Sequence, residues 1–80
     1  MRVVSQRKDY SVDFDRTAFW MQESLIYAKI ESDNVVFGKY DNPERASEVF
    51  MDMHNAYAPV YSISDGLTTF DSYIYYMPED

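Results

Sequence analysis

The sequence predicts an α+β fold: a small antiparallel sheet in a meander, with one amphipathic helix packed on one face. Three observations predict it. Apolar and polar residues alternate through much of the first forty residues, and apolar residues then recur at helical spacing from Ala46 to Tyr57. An aromatic strand, Tyr73–Met77, comes near the end. With 80 residues, these elements fit one domain, 1–80, built on a single core.

Arg2–Ser5 reads as a short strand led by Val3-Val4, and the polar Gln6–Asp9 as a turn. Tyr10, Val12 and Phe14 alternate with Ser11, Asp13 and Asp15, the pattern of a half-buried strand. Ala18–Gln22 carries Phe19-Trp20-Met21, and Leu25–Ile30 alternates again. Glu23-Ser24 joins them tightly without the Asn-Gly signal of a preferred hairpin turn. Glu31-Ser32-Asp33-Asn34 is better turn chemistry and leads into the strand Val35–Tyr40. Together these segments make an antiparallel meander.

The period then changes. Asp41-Asn42-Pro43-Glu44 starts a helix, with Asn42 as N-cap and Pro43 at the first helical position. An Asp41–Glu44 capping-box-like pair is the alternative start. Ala46, Val49, Phe50, Met53 and Tyr57 form one apolar stripe. Pro59 stops the helix by about Ala58. Pro59–Ile63 reads as extended, Ser64-Asp65-Gly66 as a turn, and Leu67–Ser72 has no clear period. One sheet with a single helix across it satisfies this pattern.

Net charge is −7, and its placement is uneven. Residues 1–40 hold six acids and six bases, whereas residues 41–80 hold eight acids and one base, Arg45. The chain shows no basic stripe to neutralise phosphates, which argues against direct nucleic-acid binding. There is no Cys, hence no disulfide, thiolate zinc site or cysteine nucleophile, which fits the reducing cytoplasm of a host cell. Met1–Gln6 turns polar before an apolar signal core forms. No apolar run approaches the ~20 residues needed to cross a bilayer, so a soluble chain with no membrane partner is expected.

Three segments carry a family resemblance: Met1–Gln6 (M-R-V-V-S-Q), Tyr40–Ala46 (Y-D-N-P-E-R-A) and Tyr76–Asp80 (Y-M-P-E-D). In them the chain resembles a group of small uncharacterised proteins carried by phages and mobile elements of Gram-positive bacteria. Those open on an M-R-V-I-S-Q-like strand, start a helix with a Y-S-T-E-E-K-A-like run and close on an M/F-P-x-D-like ending. This chain departs from the pattern at Pro43, where the group has an acid, and at Asp13-Phe14-Asp15, where many members have a Pro-aromatic-acid run. Tyr61–Ser72 looks particular to this chain. The resemblance brings no catalytic residues. It implies a setting, that of phage accessory proteins which inhibit a host machine or a defence system.

Chemistry is sparse. His54 is the sole His and flanks the apolar stripe, so a structural role is the simpler reading and a contact or pH-sensitive role the sharper one. Asp13 and Asp15 point to one side of their strand, a pairing that a metal or acid–base catalysis could use. The simpler reading is a solvated strand face balanced by Arg16. Gly38 and Gly66 form no phosphate cradle, and the residues around Asp33 do not have calcium-loop spacing. No enzyme, metal or cofactor is expected.

Two surfaces remain. Glu44, Glu48 and Asp52 recur at i, i+4 and i+8, opposite the apolar stripe. At 1.5 Å per residue they rise about 6 Å apart, comparable with neighbouring phosphates, so the row could enter the basic groove of a nucleic-acid-binding protein. Like charges at this spacing cost a helix a few tenths of a kcal/mol per pair, and a plain solvated face is the simpler reading. Tyr57, Tyr61, Tyr73 and Tyr75 form a candidate aromatic surface for a partner or for self-association into a homo-oligomer.

The expected function is a non-enzymatic phage-type inhibitor. It binds a host or defence protein, for example a CRISPR effector or other nuclease, by nucleic-acid mimicry through its acidic C-terminal half. The alternative is an oligomeric sponge for a signalling nucleotide, with Tyr rings on the base and Arg7, Lys8, Arg16 or Lys39 on the phosphates. A structural or virion accessory protein is the third reading.

Overall fold

The computed structural model describes residues 1–57 and 74–80. The order is β1 (Arg2–Val4), β2 (Ser11–Asp13), a 3-10 turn (Phe14–Arg16), β3 (Phe19–Gln22), β4 (Leu25–Ile30), β5 (Asp33–Lys39), α1 (Pro43–Tyr57) and β6 (Ile74–Tyr76). The fold is α+β, as predicted. The strands form two three-stranded sheets, however, where the sequence suggested one.

The first sheet has the order β2-β1-β6. Its central strand pairs antiparallel with β2 and parallel with β6, in register Val3↔Val12 and Val3↔Tyr75. Val3 is fully buried between the two. The meander breaks after β2 because Phe14 does not continue the strand. It opens a 3-10 turn, and its ring stacks on Phe19 at 5.6 Å and meets Tyr57 at 4.6 Å. The turn also separates Asp15 from the strand face of Asp13, whose carboxylate instead meets Arg2 at 3.1 Å. The expectation that Asp13 and Asp15 share one strand face is therefore corrected, and the cation beside Asp13 is Arg2 rather than Arg16.

The second sheet, β3-β4-β5, is the predicted antiparallel meander. Along β4 the alternation is plain: Ile26 and Ala28 are fully buried towards the helix, whereas Lys29 is exposed. On β5 the register shifts beside Ile26 and Tyr27, so Phe37 is an extra residue in the ladder and turns into the core. Gly38 next to it is small for a steric reason. A Cβ there would lie 2.6 Å from the Tyr40 ring.

The helix starts as the sequence suggested. Asn42 Oδ1 accepts the Arg45 backbone N–H at 2.7 Å, and Pro43 takes the first helical position, so Asn42 is the cap rather than an Asp41–Glu44 pair. Ala46, Val49 and Met53 are buried; Phe50 and Tyr57 sit at the stripe's edge, partly exposed. Together with Ile26, Ala28, Phe37 and Tyr75, the buried helix residues join one core cluster.

The two sheets are tied together by Gln6 and the last residues. The Gln6 backbone N–H donates to Phe37 O at 2.8 Å, while its side chain accepts from Lys39 N and donates to the carbonyls of Lys39 and Glu79. Tyr40 Oη donates to Pro78 O at 2.9 Å, and Met77 N donates to Val4 O at 3.0 Å. This clasp places residues 77–80 between the start of the chain and the helix.

Candidate functional site

Glu44, Glu48 and Asp52 are all exposed, but they are not three equivalent carboxylates. At 3.6 residues per turn, each step of four residues rotates about 40° around the helix axis. The row therefore winds from the outer face at Glu44 towards the sheet at Asp52. There Asp52 Oδ2 accepts a hydrogen bond from Tyr75 Oη at 3.1 Å. Glu48 meets Arg45 Nη1 at 3.3 Å. The expected placement opposite the apolar stripe holds for Glu44 and is corrected for Asp52, which flanks it.

Between α1 and Pro78 lies an open groove of about 390 Å³. Glu48, Asp52, Asn55 and Arg45 line its polar side, with Val49 and Met51 supplying apolar surface. Met51 is 53 % exposed, a flexible apolar contact between two carboxylates. Arg45 has a second task, which its place in an acidic run did not reveal. Its Nε and Nη2 donate to the Asp80 backbone oxygen at 3.1 and 2.9 Å, so residues 79–80 are held beside the helix. Acids from the helix and from the last residues thereby share one side of the molecule.

Tyr75 is the clearest correction. Only 8 % exposed, it belongs to the core, whereas its neighbours Ile74 and Tyr76 are exposed at 41 and 58 %. The alternation along β6 faces Tyr75 and Met77 inward. Burial first, then the hydrogen bond to Asp52 and its negative charge, push the Tyr75 phenol well above its ordinary range. Tyr57 packs on Phe14 rather than standing free. Tyr61 and Tyr73, the other members of the expected aromatic surface, lie outside the described residues.

His54 joins the same aromatic cluster, edge-on to Phe14 at 5.1 Å and against Phe50 at 4.4 Å. Its Nδ1 donates to Phe50 O at 2.7 Å, which places the proton on that nitrogen. Among the described residues, no three His, Cys, Asp or Glu side chains are grouped as metal ligands. No described helix is long and apolar enough to cross a membrane. Comparison with protein-family models, with curated proteins and with solved structures found no match to this chain.

Proposed function

We propose that this chain is a non-enzymatic binding protein that docks the acidic face of α1 into the basic groove of a host or defence protein, in the place of nucleic acid. A CRISPR effector or another nuclease has a groove of that kind. The observation that carries this reading is the row Glu44, Glu48 and Asp52 beside an open groove, with the acidic end of the chain clamped next to it by Arg45. Carboxylates of a groove this open keep most of their hydration until a partner's Arg or Lys displaces it. Such contacts steer association and set its salt dependence. The resemblance to small phage-borne proteins supplies the setting.

The test removes the charges and keeps the fold. Glu44→Gln and Glu48→Gln preserve helix propensity and relieve like-charge repulsion. Asp52→Asn retains an acceptor for Tyr75 Oη. The triple variant is expected to melt within a few degrees of the parent. Its affinity for a partner captured from host lysate is expected to fall by about 1 kcal/mol or more. The loss should shrink at high salt, and the partner's own nucleic acid should compete with the parent protein. Calorimetry at two salt concentrations measures this. Equal affinity of parent and variant at both rejects the acidic-face mechanism.

A further inference from the structure

The helix-free side of the β3-β4-β5 sheet presents a surface of opposite character to the acidic helix. Side chains alternate along a strand, so the residues paired with Tyr27, and those two positions from it along β4, share this side. Trp20 pairs with Tyr27 across β3 and β4, and their rings stack with centroids 5.4 Å apart and planes 11° from parallel. Tyr27 pairs in turn with Val36 on β5, which is 45 % exposed. An apolar row thus crosses all three strands. Lys29, opposite Asn34, stands at one end of β4, and Lys39, opposite Leu25, at the other. Both lysines are exposed, and neither forms an ion pair among the described residues. In a chain of net charge −7, this face carries two positive charges; the carboxylate on these strands, Asp33, pairs with Ile30 and so belongs to the other side.

We infer that this face is a stacking platform for a single strand of nucleic acid. Every base has a π-face, and a base laid on an outer ring face can extend the Trp20–Tyr27 stack irrespective of sequence. Lys29 and Lys39 stand about 14 Å apart, from four residues of strand rise and one strand spacing, roughly two backbone steps of an extended single strand. They meet phosphates on either side of the stacked base. A flat face lacks the enclosure a free nucleotide needs, whereas an extended strand draws affinity from its length. A duplex offers no unstacked base to the rings. The acidic helix face repels phosphates, and so confines the strand to this side. Lys29 and Lys39 are ten residues apart in the sequence, so no basic stripe shows until the sheet pairs their strands.

Trp20 is the only Trp, so its emission reports on this face alone. The intact protein is titrated with a thymidine oligonucleotide, and in parallel with a hairpin duplex of similar length. Saturable quenching of Trp20 by the single strand is expected, with at least ten-fold weaker binding of the duplex. Lys29→Gln combined with Lys39→Gln should weaken single-strand binding ten-fold or more and flatten its salt dependence, with unchanged circular dichroism. Tyr27→Leu, which keeps apolar area and removes the π-face, should weaken it about five-fold or more. Glu48→Gln should not weaken it, which separates this platform from the acidic helix face. Absence of quenching at about 1 mM oligonucleotide, above the ~10⁻⁴ M limit of ordinary non-specific binding, overturns the inference. Equal affinity for the duplex overturns it too, as does a Trp20 shift that depends on protein concentration without oligonucleotide, which would assign the face to a second copy of the chain.

Discussion

Among the described residues, Tyr40 and Tyr75 are the two buried phenols, and both hold the helix side of the molecule together. Burial pushes the Tyr40 phenol from its ordinary 10.0 up to about 12, with the Arg45 charge pulling the other way. Tyr75 is shifted in the same direction. The folded chain therefore keeps protons that the unfolded chain loses above pH 10, and stability falls as pH rises from about 10 towards 12. Below pH 10 this contribution is fully present. Tyr40→Phe is expected to cost about 1 kcal/mol at pH 7, through the lost bond to Pro78 O, and to flatten the alkaline decline. Thermal melts of both proteins between pH 8 and 12 measure it; parallel declines would show that Tyr40 does not carry the loss and leave it to Tyr75. At this scale the sequence was legible where the signal is local. Asn42 is a cap because an Asx residue before Pro-Glu has few other uses. The inward placement of Tyr75 is not legible because all five residues from Tyr73 to Met77 are apolar, and alternation then does not say which side is inside.

Both hairpins of the β3-β4-β5 sheet turn on the same dipeptide. Glu23-Ser24 joins Gln22 to Leu25, and Glu31-Ser32 joins Ile30 to Asp33. In each the Glu adopts positive φ, 55° and 59°, a conformation that costs a side-chain-bearing residue about 1–2 kcal/mol. Gly recovers that cost, less its own unfolded-state entropy of about 0.4–1 kcal/mol. Glu23→Gly and Glu31→Gly are each expected to stabilise the protein by about 0.5–1 kcal/mol, read as a higher urea midpoint at unchanged slope. A lower midpoint would show that the Glu side chains contribute more than their backbone costs. The Glu23-Ser24 turn falls where the sequence places it, whereas the second turn is shorter than the expected 31–34, because Asp33 and Asn34 pair within β5; the strain of neither turn is legible, because nothing in Glu-Ser announces positive φ. The helix was the most legible element, from cap to final Tyr57. The split into two sheets was hidden, since Phe14 fits a strand alternation as well as it fits the aromatic cluster under α1.

On the scale of the whole molecule, the acidic row was visible in the sequence because its spacing is periodic, but its neighbours were not. The Arg45–Asp80 clamp and the Lys29–Lys39 face both arise from tertiary pairing. The same is true of β1 and β6, which run parallel although the paired Arg2 and Ile74 stand near opposite ends of the sequence. That pairing has a mechanical consequence. The strands near the two ends of the chain lie side by side and point the same way, so tension between residues 1 and 80 slides β1 against β6. Shear loads all the bonds of that seam together, whereas tension across the antiparallel β1–β2 hairpin opens its bonds one after another, like a zip. Handles at residues 1 and 80 should therefore need a higher force to rupture the fold than handles at residues 1 and 16 need to peel off the hairpin. Single-molecule pulling compares the two directly, and equal forces would mean that the seam bears no load. A motor that draws β1 along its axis away from β6 must break that seam in one step.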